Sequence, residues 1–343
     1  MKALTLEAYG KFTYGDSPDP EPGEGEVQIE VKACGICGSD VHGMDGSTGR
    51  RHPPIIMGHE AAGVISKLGT GVSGLNAGDR VTFDSTTYCG QCPYCQKGLV
   101  NLCENRQVIG VSCAEYRRHG AFAEKVVIPQ LGICSIPDTV SFEQAALAEP
   151  VSIALHAVNR LPIQGGETAV VVGTGMIGLF LVQALKAAGC SRVFAVDLAK
   201  DKLALAKELG ADETLVPNED DVCAKVREAT AGEGAHFSLE AVGASETVRL
   251  AIEVLRKGGS TCLVGNLAPV VDLPLQAVVT RELSVYGSCA SAGEYTEALA
   301  SVASGKIQVD PIISSVGDLK DGADWFARLA DNREGLLKVV LRP

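Results

Sequence analysis

Hydrophobic residues in the first 150 positions come in short runs that are separated by turn-forming residues. Three of these β-like runs are Glu26 to Ala33, Gly63 to Leu68 and Phe122 to Ile128, and glycine, proline and aspartate residues stand between them. Short runs bounded in this way are typical of strands in all-β structures. The pattern therefore predicts that this half of the chain is an irregular β-barrel.

From Thr168 onward, strand-like apolar runs alternate with segments of helical length and period. Strand and helix alternating at this spacing predict a parallel, doubly wound α/β sheet. A last strand-like run, Gly335 to Leu341, has no obvious place in that sheet. The predicted strands are Thr168–Val172, Arg192–Val196, His236–Ala241, Thr261–Val264 and Leu283–Tyr286, and the predicted helices are Ile177–Ala188, Asp201–Leu209 and Ser245–Leu255.

An uncharged stretch, residues 168 to 185, is long enough to cross a bilayer. Gly173, Gly175 and Gly178 lie inside it, which favours the strand, turn and helix of a soluble domain. Met1 to Gly10 lacks a basic segment followed by an apolar one, so no signal peptide is predicted. We therefore expect a cytoplasmic protein without membrane association.

The net charge of the chain excludes a class of partner, and its length predicts the number of domains. The 343 residues include 30 lysines and arginines against 42 aspartates and glutamates, which gives a net charge of −12 at pH 7. A negative field of this size repels phosphate polymers and anionic lipids, so no nucleic-acid partner is expected. The length suits two domains, each with its own core.

A glycine-rich turn follows the first predicted strand of the α/β segment. Gly173, Gly175 and Gly178 form a G-x-G-x-x-G pattern that opens a helix, and such a turn allows a pyrophosphate to approach the backbone at the helix N-terminus. Asp197 ends the second strand, where a carboxylate can accept hydrogen bonds from both ribose hydroxyls and would repel a 2′-phosphate. The pattern favours NAD over NADP; the alternative is a tight turn with no ligand beside a solvated aspartate.

Four cysteines lie close together in a loop that contains glycine and proline. Four thiolates at such spacing can close a tetrahedral shell around zinc and leave no position open for chemistry, which predicts a structural site. Disulfides and an iron–sulfur cluster are the alternatives; a reducing compartment opposes the first and the spacing opposes the second. The four residues are Cys89, Cys92, Cys95 and Cys103.

A second set of metal-binding residue types is dispersed along the first half: Cys37, the pair His59-Glu60, and Glu149. A thiolate, an imidazole and a carboxylate can hold zinc and leave one position open for catalysis. Spacing alone does not bring them together. A core thiol, an interior histidine and a helix N-cap are the alternatives that the residues by themselves leave open.

Taken together, the motifs resemble those of the zinc-containing medium-chain dehydrogenase/reductase family along nearly the whole chain. The segment Ala148 to Ala157 is similar to the polyol dehydrogenases of that family, such as the sorbitol, galactitol and L-iditol enzymes. The other motifs that carry the resemblance are Cys37-Gly38-Ser39-Asp40-x-His42, Gly58-His59-Glu60-x2-Gly63-x-Ile65, Gly78-Asp79-Arg80-Val81, Gly120-Ala121-Phe122-Ala123-Glu124, the four-cysteine loop and the glycine-rich turn.

The resemblance implies an α/β fold with two domains. A GroES-like, irregular β-barrel catalytic domain would take residues 1–151 and 289–343, with a structural zinc lobe at about residues 88–104. A doubly wound Rossmann domain that binds NAD would take residues 152–288. The last predicted strand would then belong to the catalytic domain.

The resemblance also implies the residues of the sites. Cys37 and His59 would bind the catalytic zinc together with Glu60 or Glu149. Ser39 would take the proton of the substrate hydroxyl and pass it through the nicotinamide ribose to His42 and solvent; a zinc-bound water held by Glu60 or Glu149 is the alternative base. The implied cofactor-binding residues are Gly173, Gly175, Ile177, Gly178, Asp197, Lys202, Gly265 and Cys289.

We therefore expect a zinc-dependent oxidoreductase that transfers a hydride from a secondary alcohol of a polyol or diol to NAD, as a homodimer or homotetramer. Two departures from the sorbitol enzymes point to a different substrate. Cys289-Ala290-Ser291 replaces their Phe-Arg-Tyr run, and Gly43 replaces the aromatic residue after the relay histidine. The alternatives are an L-threonine 3-dehydrogenase and a nucleotide-binding protein without turnover.

Overall fold

The computed structural model describes residues 1–113, 116–331 and 334–343, and the chain forms two compact units. The first unit comprises Met1–Glu149, Tyr295–Ala303 and Val309–Pro343, and the second comprises Pro150–Glu294 and Ser304–Gln308.

Two short segments that were predicted to lie in the catalytic domain, 289–294 and 304–308, belong to the second unit. Side-chain contacts within that unit account for both. Glu294 Oε1 lies 2.7 Å from His156 Nδ1. The side chain of Gln183 exchanges two hydrogen bonds with the backbone of Gln308.

Seven strands of the first unit form one sheet in the order β12-β6-β5-β3-β20-β19, with β11 also paired to β3. The last strand, which had no obvious place in the predicted α/β sheet, pairs antiparallel with β3 and parallel with β19. The unit begins with β1 (Lys2–Ala8), β2 (Lys11–Asp16), β3 (Glu26–Gly35), α1 (Gly38–Gly43), β4 (Ile55–Ile56), β5 (Glu60–Leu68), β6 (Arg80–Phe83), β7 (Thr86–Thr87), α2 (Pro93–Gln96), β8 (Gln107–Val108), β9 (Ser112–Cys113), β10 (Tyr116–Arg117), β11 (Lys125–Pro129), β12 (Ile133–Ser135) and α3 (Phe142–Ala146), and α4 (Ala148–Asn159) leads out of it. After the second unit it continues with α10 (Tyr295–Ala303), β19 (Ile313–Asp318), α11 (Gly322–Asp331) and β20 (Lys338–Arg342).

The second unit holds a six-stranded sheet in the order β15-β14-β13-β16-β17-β18, and every strand pair in it is parallel. All five residues of β13 are buried, as expected for a strand covered on both faces. Its elements are β13 (Thr168–Val172), α5 (Met176–Ala187), β14 (Arg192–Val196), α6 (Lys200–Glu208), β15 (Glu213–Leu215), α7 (Val222–Ala229), β16 (Ala235–Glu240), α8 (Ser245–Glu253), β17 (Leu255–Leu263), α9 (Leu275–Thr280) and β18 (Ser284–Gly287).

The predicted α/β fold class, a barrel-type domain and a doubly wound domain, is confirmed. Within the described residues, no helix combines the length and apolar character needed to span a bilayer.

Candidate active site

The residues Cys37, His59 and Glu60 meet in the first unit. Cys37 lies between β3 and α1, and Glu60 is the first residue of β5, which pairs with β3. One candidate ligand atom from each side chain lies within 4.8 Å of the other two. Pairing of these two strands therefore brings together residues that are about twenty positions apart in the sequence.

The chemistry of this group fits zinc. One thiolate, one imidazole and one carboxylate are the kind of donor set that holds a catalytic zinc with a position left open. Glu60 is fully buried, and its Oε1 has no hydrogen-bond partner among the described residues. A buried carboxylate oxygen without a partner is costly, and a cation bound there would satisfy it.

Glu149, the other carboxylate that the sequence offered, lies in the first turn of α4 and outside this three-residue group. Burial of its carboxyl group and the negative charge of Glu60 raise the pKa of Glu149 to about 8. The two carboxylates are therefore close enough to interact, but only Glu60 shares the compact arrangement with Cys37 and His59.

Lys338 holds the second oxygen of Glu60. Its Nζ donates hydrogen bonds to Glu60 Oε2 at 2.6 Å and to Ile36 O at 2.8 Å, and the side chains of Lys338 and Glu60 are 1% and 0% exposed. Burial lowers the pKa of the lysine, but the charge of Glu60 outweighs this effect and raises it. The result is a buried ion pair that leaves Oε1 as the oxygen available to a metal.

Asp40 is a buried carboxylate beside His59. Its Oδ1 accepts a hydrogen bond from Arg51 Nη2 at 2.7 Å and lies 3.5 Å from His59 Nδ1. Burial opposes the charge of Asp40, but the neighbouring His59 and Arg51 hold the pKa of its carboxyl well below the usual range. Asp40 is therefore a buried anion beside a proposed zinc ligand.

The predicted relay residues, Ser39 and His42, both lie in α1 and are exposed. Three positions apart on a helix, they project from the same face. Ser39 Oγ lies 3.4 Å from Arg51 Nη2. The helix thus presents a hydroxyl and an imidazole on one side, next to Cys37.

The four predicted ligands of the structural zinc also meet: their sulfur atoms all lie within 4.8 Å of one another. Backbone N–H groups donate to these sulfurs, as in Cys92 N to Cys89 Sγ at 3.4 Å and Asn105 N to Cys103 Sγ at 3.3 Å. The N–H groups of Gln91 and Cys92 lower the pKa of the Cys89 thiol to about 6. Burial and the neighbouring Cys92 raise the pKa of the Cys95 thiol to about 12. Four sulfur atoms in so compact a group fit a closed tetrahedral zinc site.

The glycine-rich turn has the geometry that the sequence predicted. Gly173, directly after β13, has a φ of +90°. A Cβ on Gly178 would lie 1.9 Å from Gly173 O, whereas a Cβ on Gly175 would meet nothing within 4 Å. The third glycine therefore allows the helix to pack on the strand, and the second borders open space.

Asp197 follows β14 and lies beside this turn. Its Oδ2 accepts a hydrogen bond from Thr174 N at 2.6 Å, and its Oδ1 accepts one from Ala199 N at 2.9 Å. These two bonds fix the carboxylate next to the turn and leave further lone pairs on both oxygens for a ligand.

The four remaining residues that were predicted to bind the cofactor lie on separate segments of the second unit. Ile177 lies in the first turn of α5 and Lys202 in α6, both half-buried. Gly265 follows β17 and packs so closely on Gly243 that a Cβ would lie 2.2 Å from the Gly243 nitrogen. Cys289 is exposed, just after β18. Gly265 and Cys289 thus follow the carboxyl ends of parallel strands, where such sheets bind ligands.

A pair of glycine variants separates ligand binding from packing at the turn. We expect Gly175→Ala to leave thermal stability unchanged and to raise the Kd for the dinucleotide by at least about tenfold, because the methyl group takes the space of the pyrophosphate. Gly178→Ala is expected to destabilise the second unit by about 1–3 kcal/mol or more through overpacking. Fluorescence titration with NADH and calorimetry check both; a Gly175→Ala protein with unchanged Kd would contradict the site.

Comparison with known proteins identifies relatives of both parts of the chain. The family model of the alcohol dehydrogenase GroES-like domain matches residues 23–138, and that of the zinc-binding dehydrogenases matches residues 177–304. The sorbitol dehydrogenase of Halalkalibacterium halodurans is 38% identical over 297 residues, which are 84% of each chain. The D-xylulose reductase A of Aspergillus oryzae is 33% identical over 94% of this chain and 92% of its own.

The chain belongs to the zinc-binding dehydrogenase family. Among solved structures, a protein from Sinorhizobium meliloti 1021 bound to NADP is 33% identical and superposes with a TM-score of 0.92 over 100% of this chain and 99% of its own. The predicted resemblance is confirmed, and so is the class of oxidoreductase that it implied.

In this zinc-binding dehydrogenase, two charged residues near Cys37, His59 and Glu60 were not found from the sequence. Lys338 lies 278 positions from Glu60, and Arg51 appears as one of two adjacent arginines in a loop. Charged residues in a strand or a loop are usually solvated. The signal available for Lys338 was a lysine within the otherwise apolar run Leu336 to Leu341. The sequence holds no comparable signal for Arg51.

Proposed function

We propose that this dehydrogenase oxidises a secondary alcohol of a polyol or diol to the ketose or ketone and transfers the hydride to NAD. The observation that carries the proposal is the group of Cys37, His59 and Glu60, whose ligand atoms lie within 4.8 Å of one another. The polyol subgroup that the sequence resembles has a glutamate at the position of Glu149, and Glu149 lies close enough to Glu60 to interact with it. Relatives named sorbitol dehydrogenase and D-xylulose reductase support the same substrate class.

The side chains around the group suit proton removal from an alcohol. Cys37, His59 and Glu60 would hold a zinc ion, and its positive charge would lower the pKa of an alcohol hydroxyl. Ser39 Oγ, two residues after Cys37, would accept the hydroxyl proton while it gives up its own, and His42 on the same helical face would release a proton to solvent. Lys338 Nζ donates a hydrogen bond to Glu60 Oε2 and so orients the carboxylate.

A substrate panel tests the proposal. Purified enzyme is assayed for NADH formation with sorbitol, galactitol, xylitol, 2,3-butanediol and L-threonine, with NAD and NADP in parallel, and its zinc content is measured in the same preparation. We expect turnover of a polyol or diol with about two zinc ions per chain. Turnover of threonine alone would favour the amino-alcohol alternative, and full zinc content without any turnover would favour a non-enzymatic role.

We further propose NAD as the cofactor, on the position of Asp197 beside the glycine-rich turn. Its negative charge would face the 2′-phosphate of NADP, and like charges brought together in a complex cost several kcal/mol. Asp197→Asn is expected to lower the preference for NAD over NADP by at least about tenfold. The ratio of kcat/KM values measures it, with Asp201→Asn on the exposed surface of α6 as the matched control; an unchanged ratio would exclude this role.

We also propose that copies of the chain pair through the edge strand β18 as a homodimer or homotetramer. An unpaired edge beside exposed apolar side chains is a surface that normally associates. Sedimentation of wild type and of Val285→Lys, which places a charge on the edge, should give a smaller assembly for the variant. The exposed apolar residues are Leu267, Val270, Leu275, Val279 and Val285.

A cytoplasmic location is part of the same proposal. The thiolates of the four-cysteine site require a compartment in which cysteines stay reduced. The same sulfurs would form disulfides under oxidising conditions and lose the metal.

A further inference from the structure

Arg51 is a buried arginine beside the proposed zinc site, although its neighbour Arg50 is exposed. Only 2% of the Arg51 residue is accessible to solvent. Its Nη2 donates to Asp40 Oδ1 at 2.7 Å and contacts Ser39 Oγ at 3.4 Å, and its Nη1 donates to the carbonyl of Arg50 at 3.1 Å. An arginine is rarely buried unless it is paired, so the contact with Asp40 explains its position.

Asp40 in turn contacts both segments that supply metal ligands. Its Oδ2 accepts a hydrogen bond from the backbone N–H of Cys37 at 3.4 Å, and its Oδ1 lies 3.5 Å from His59 Nδ1. With Nδ1 facing this carboxylate, Nε2 is the ring nitrogen that is left for zinc. The carboxylate therefore joins the start of α1 to the start of β5.

Gly43 provides the space that Arg51 occupies. A Cβ on Gly43 would lie 2.9 Å from Arg51 Cγ. Gly43 is also one of the positions at which the chain departs from the sorbitol enzymes, which have an aromatic residue there. A larger side chain at position 43 would collide with Arg51. Glycine at this position therefore makes room for the buried arginine.

We propose that Arg51 is a positioning residue of the zinc site: by holding Asp40, it keeps Cys37 and His59 in the geometry for metal binding and Ser39 in place for proton transfer. The inference rests on the proposed function. Arg51 is not one of the grouped metal-ligand residues, so it would act through Asp40. Its Nη2 contacts the carboxylate and the serine hydroxyl while its Nη1 holds the carbonyl of Arg50, and a lysine ammonium, a point charge, cannot place two nitrogens in this way.

The test compares Arg51→Met, Arg51→Lys and the matched control Arg50→Met in the full-length zinc-loaded protein. Loss of a residue behind a metal ligand typically costs 10- to 100-fold in metal affinity. We expect Arg51→Met to lose catalytic zinc to a chelator at a concentration about 10- to 100-fold lower than wild type does. Arg51→Lys should be intermediate and Arg50→Met should match wild type, while zinc in the four-cysteine site stays bound in all three.

Cobalt substitution gives a readout that a general loss of stability would not produce. With Co²⁺ in place of the catalytic zinc, the visible absorption bands report the ligand geometry around the metal. We expect these bands to shift in Arg51→Met and to stay unchanged in Arg50→Met.

Zinc retention and cobalt bands equal to those of wild type in Arg51→Met would overturn the inference. If Arg51→Met fails to fold, zinc retention by Arg51→Lys is the deciding measurement. Wild-type zinc retention in that variant would show that the guanidinium group does not position the zinc ligands. Zinc retention is measured without any substrate. A wild-type enzyme that binds two zinc ions but oxidises no polyol would therefore refute the proposed function and leave this inference standing.

Discussion

Replacing Cys37 with serine is expected to abolish polyol oxidation and to lower the zinc content from about two ions per chain to about one. The thiolate is one of only three donors in the group with His59 and Glu60, and a serine hydroxyl is a far weaker zinc ligand than a thiolate. The four-cysteine site shares no residue with this group, so its zinc should stay bound. Zinc analysis and the NADH assay on the same sample measure both effects.

The matched control is Cys34→Ser, the same substitution at a buried thiol three residues earlier. Cys34 lies in the core of the first unit and outside both metal groups. Its replacement is expected to lower thermal stability and to leave two zinc ions per chain. A Cys37→Ser enzyme with two zinc ions, or with undiminished turnover, would show that the catalytic metal is held elsewhere.

Replacing Lys338 with methionine is expected to cause the largest loss of stability. Removal of one partner from a buried ion pair leaves an uncompensated charge and typically costs 3–5 kcal/mol, so we expect a decrease of about that size. For a unit of this length the melting temperature falls by about 2–4 °C per kcal/mol. Calorimetry should therefore record a decrease of about 6–20 °C for the first unit.

Two further variants identify the cause of that decrease. Lys320→Met removes the lysine of an exposed pair with Asp318, whose side chains are 60% and 63% accessible, and should leave the melting temperature nearly unchanged because solvent screens exposed pairs. Adding Glu60→Gln to Lys338→Met removes the unpaired charge and should restore part of the stability. If Lys338→Met were no less stable than Lys320→Met, the buried pair would not contribute to the fold.

The elements of the second unit could be predicted closely because they depend on local pattern. The predicted helix Ile177–Ala188 is Met176–Ala187 in the structure, and the predicted strand Thr168–Val172 is unchanged. Strand β15 was missed, since three residues carry too little of a periodic signal. Helix α7 was missed as well because it is short: its eight residues offer an apolar face of only about two turns, formed by Val222, Val226 and Ala229.

The candidate ligands could be named from their motifs, but the choice among them could not. Both Glu60 and Glu149 were compatible with the sequence, and pairing of β3 with β5 brings only Glu60 into the group with Cys37 and His59. The roles of Lys338 and Arg51 depend on contacts between distant parts of the chain. No local pattern encodes such contacts, because each is created by the way the strands and loops pack.

The sequence by itself therefore determined the two kinds of domain, the four-cysteine ligand set and the glycine-rich turn, since each depends on residues that are close along the chain. The tertiary structure alone decided which carboxylate joins Cys37 and His59 and which buried cations support them. The physical reason is burial. A charge removed from water is costly without a partner, and packing can bring that partner from any part of the chain. For Glu60 the partner is Lys338, in the last strand.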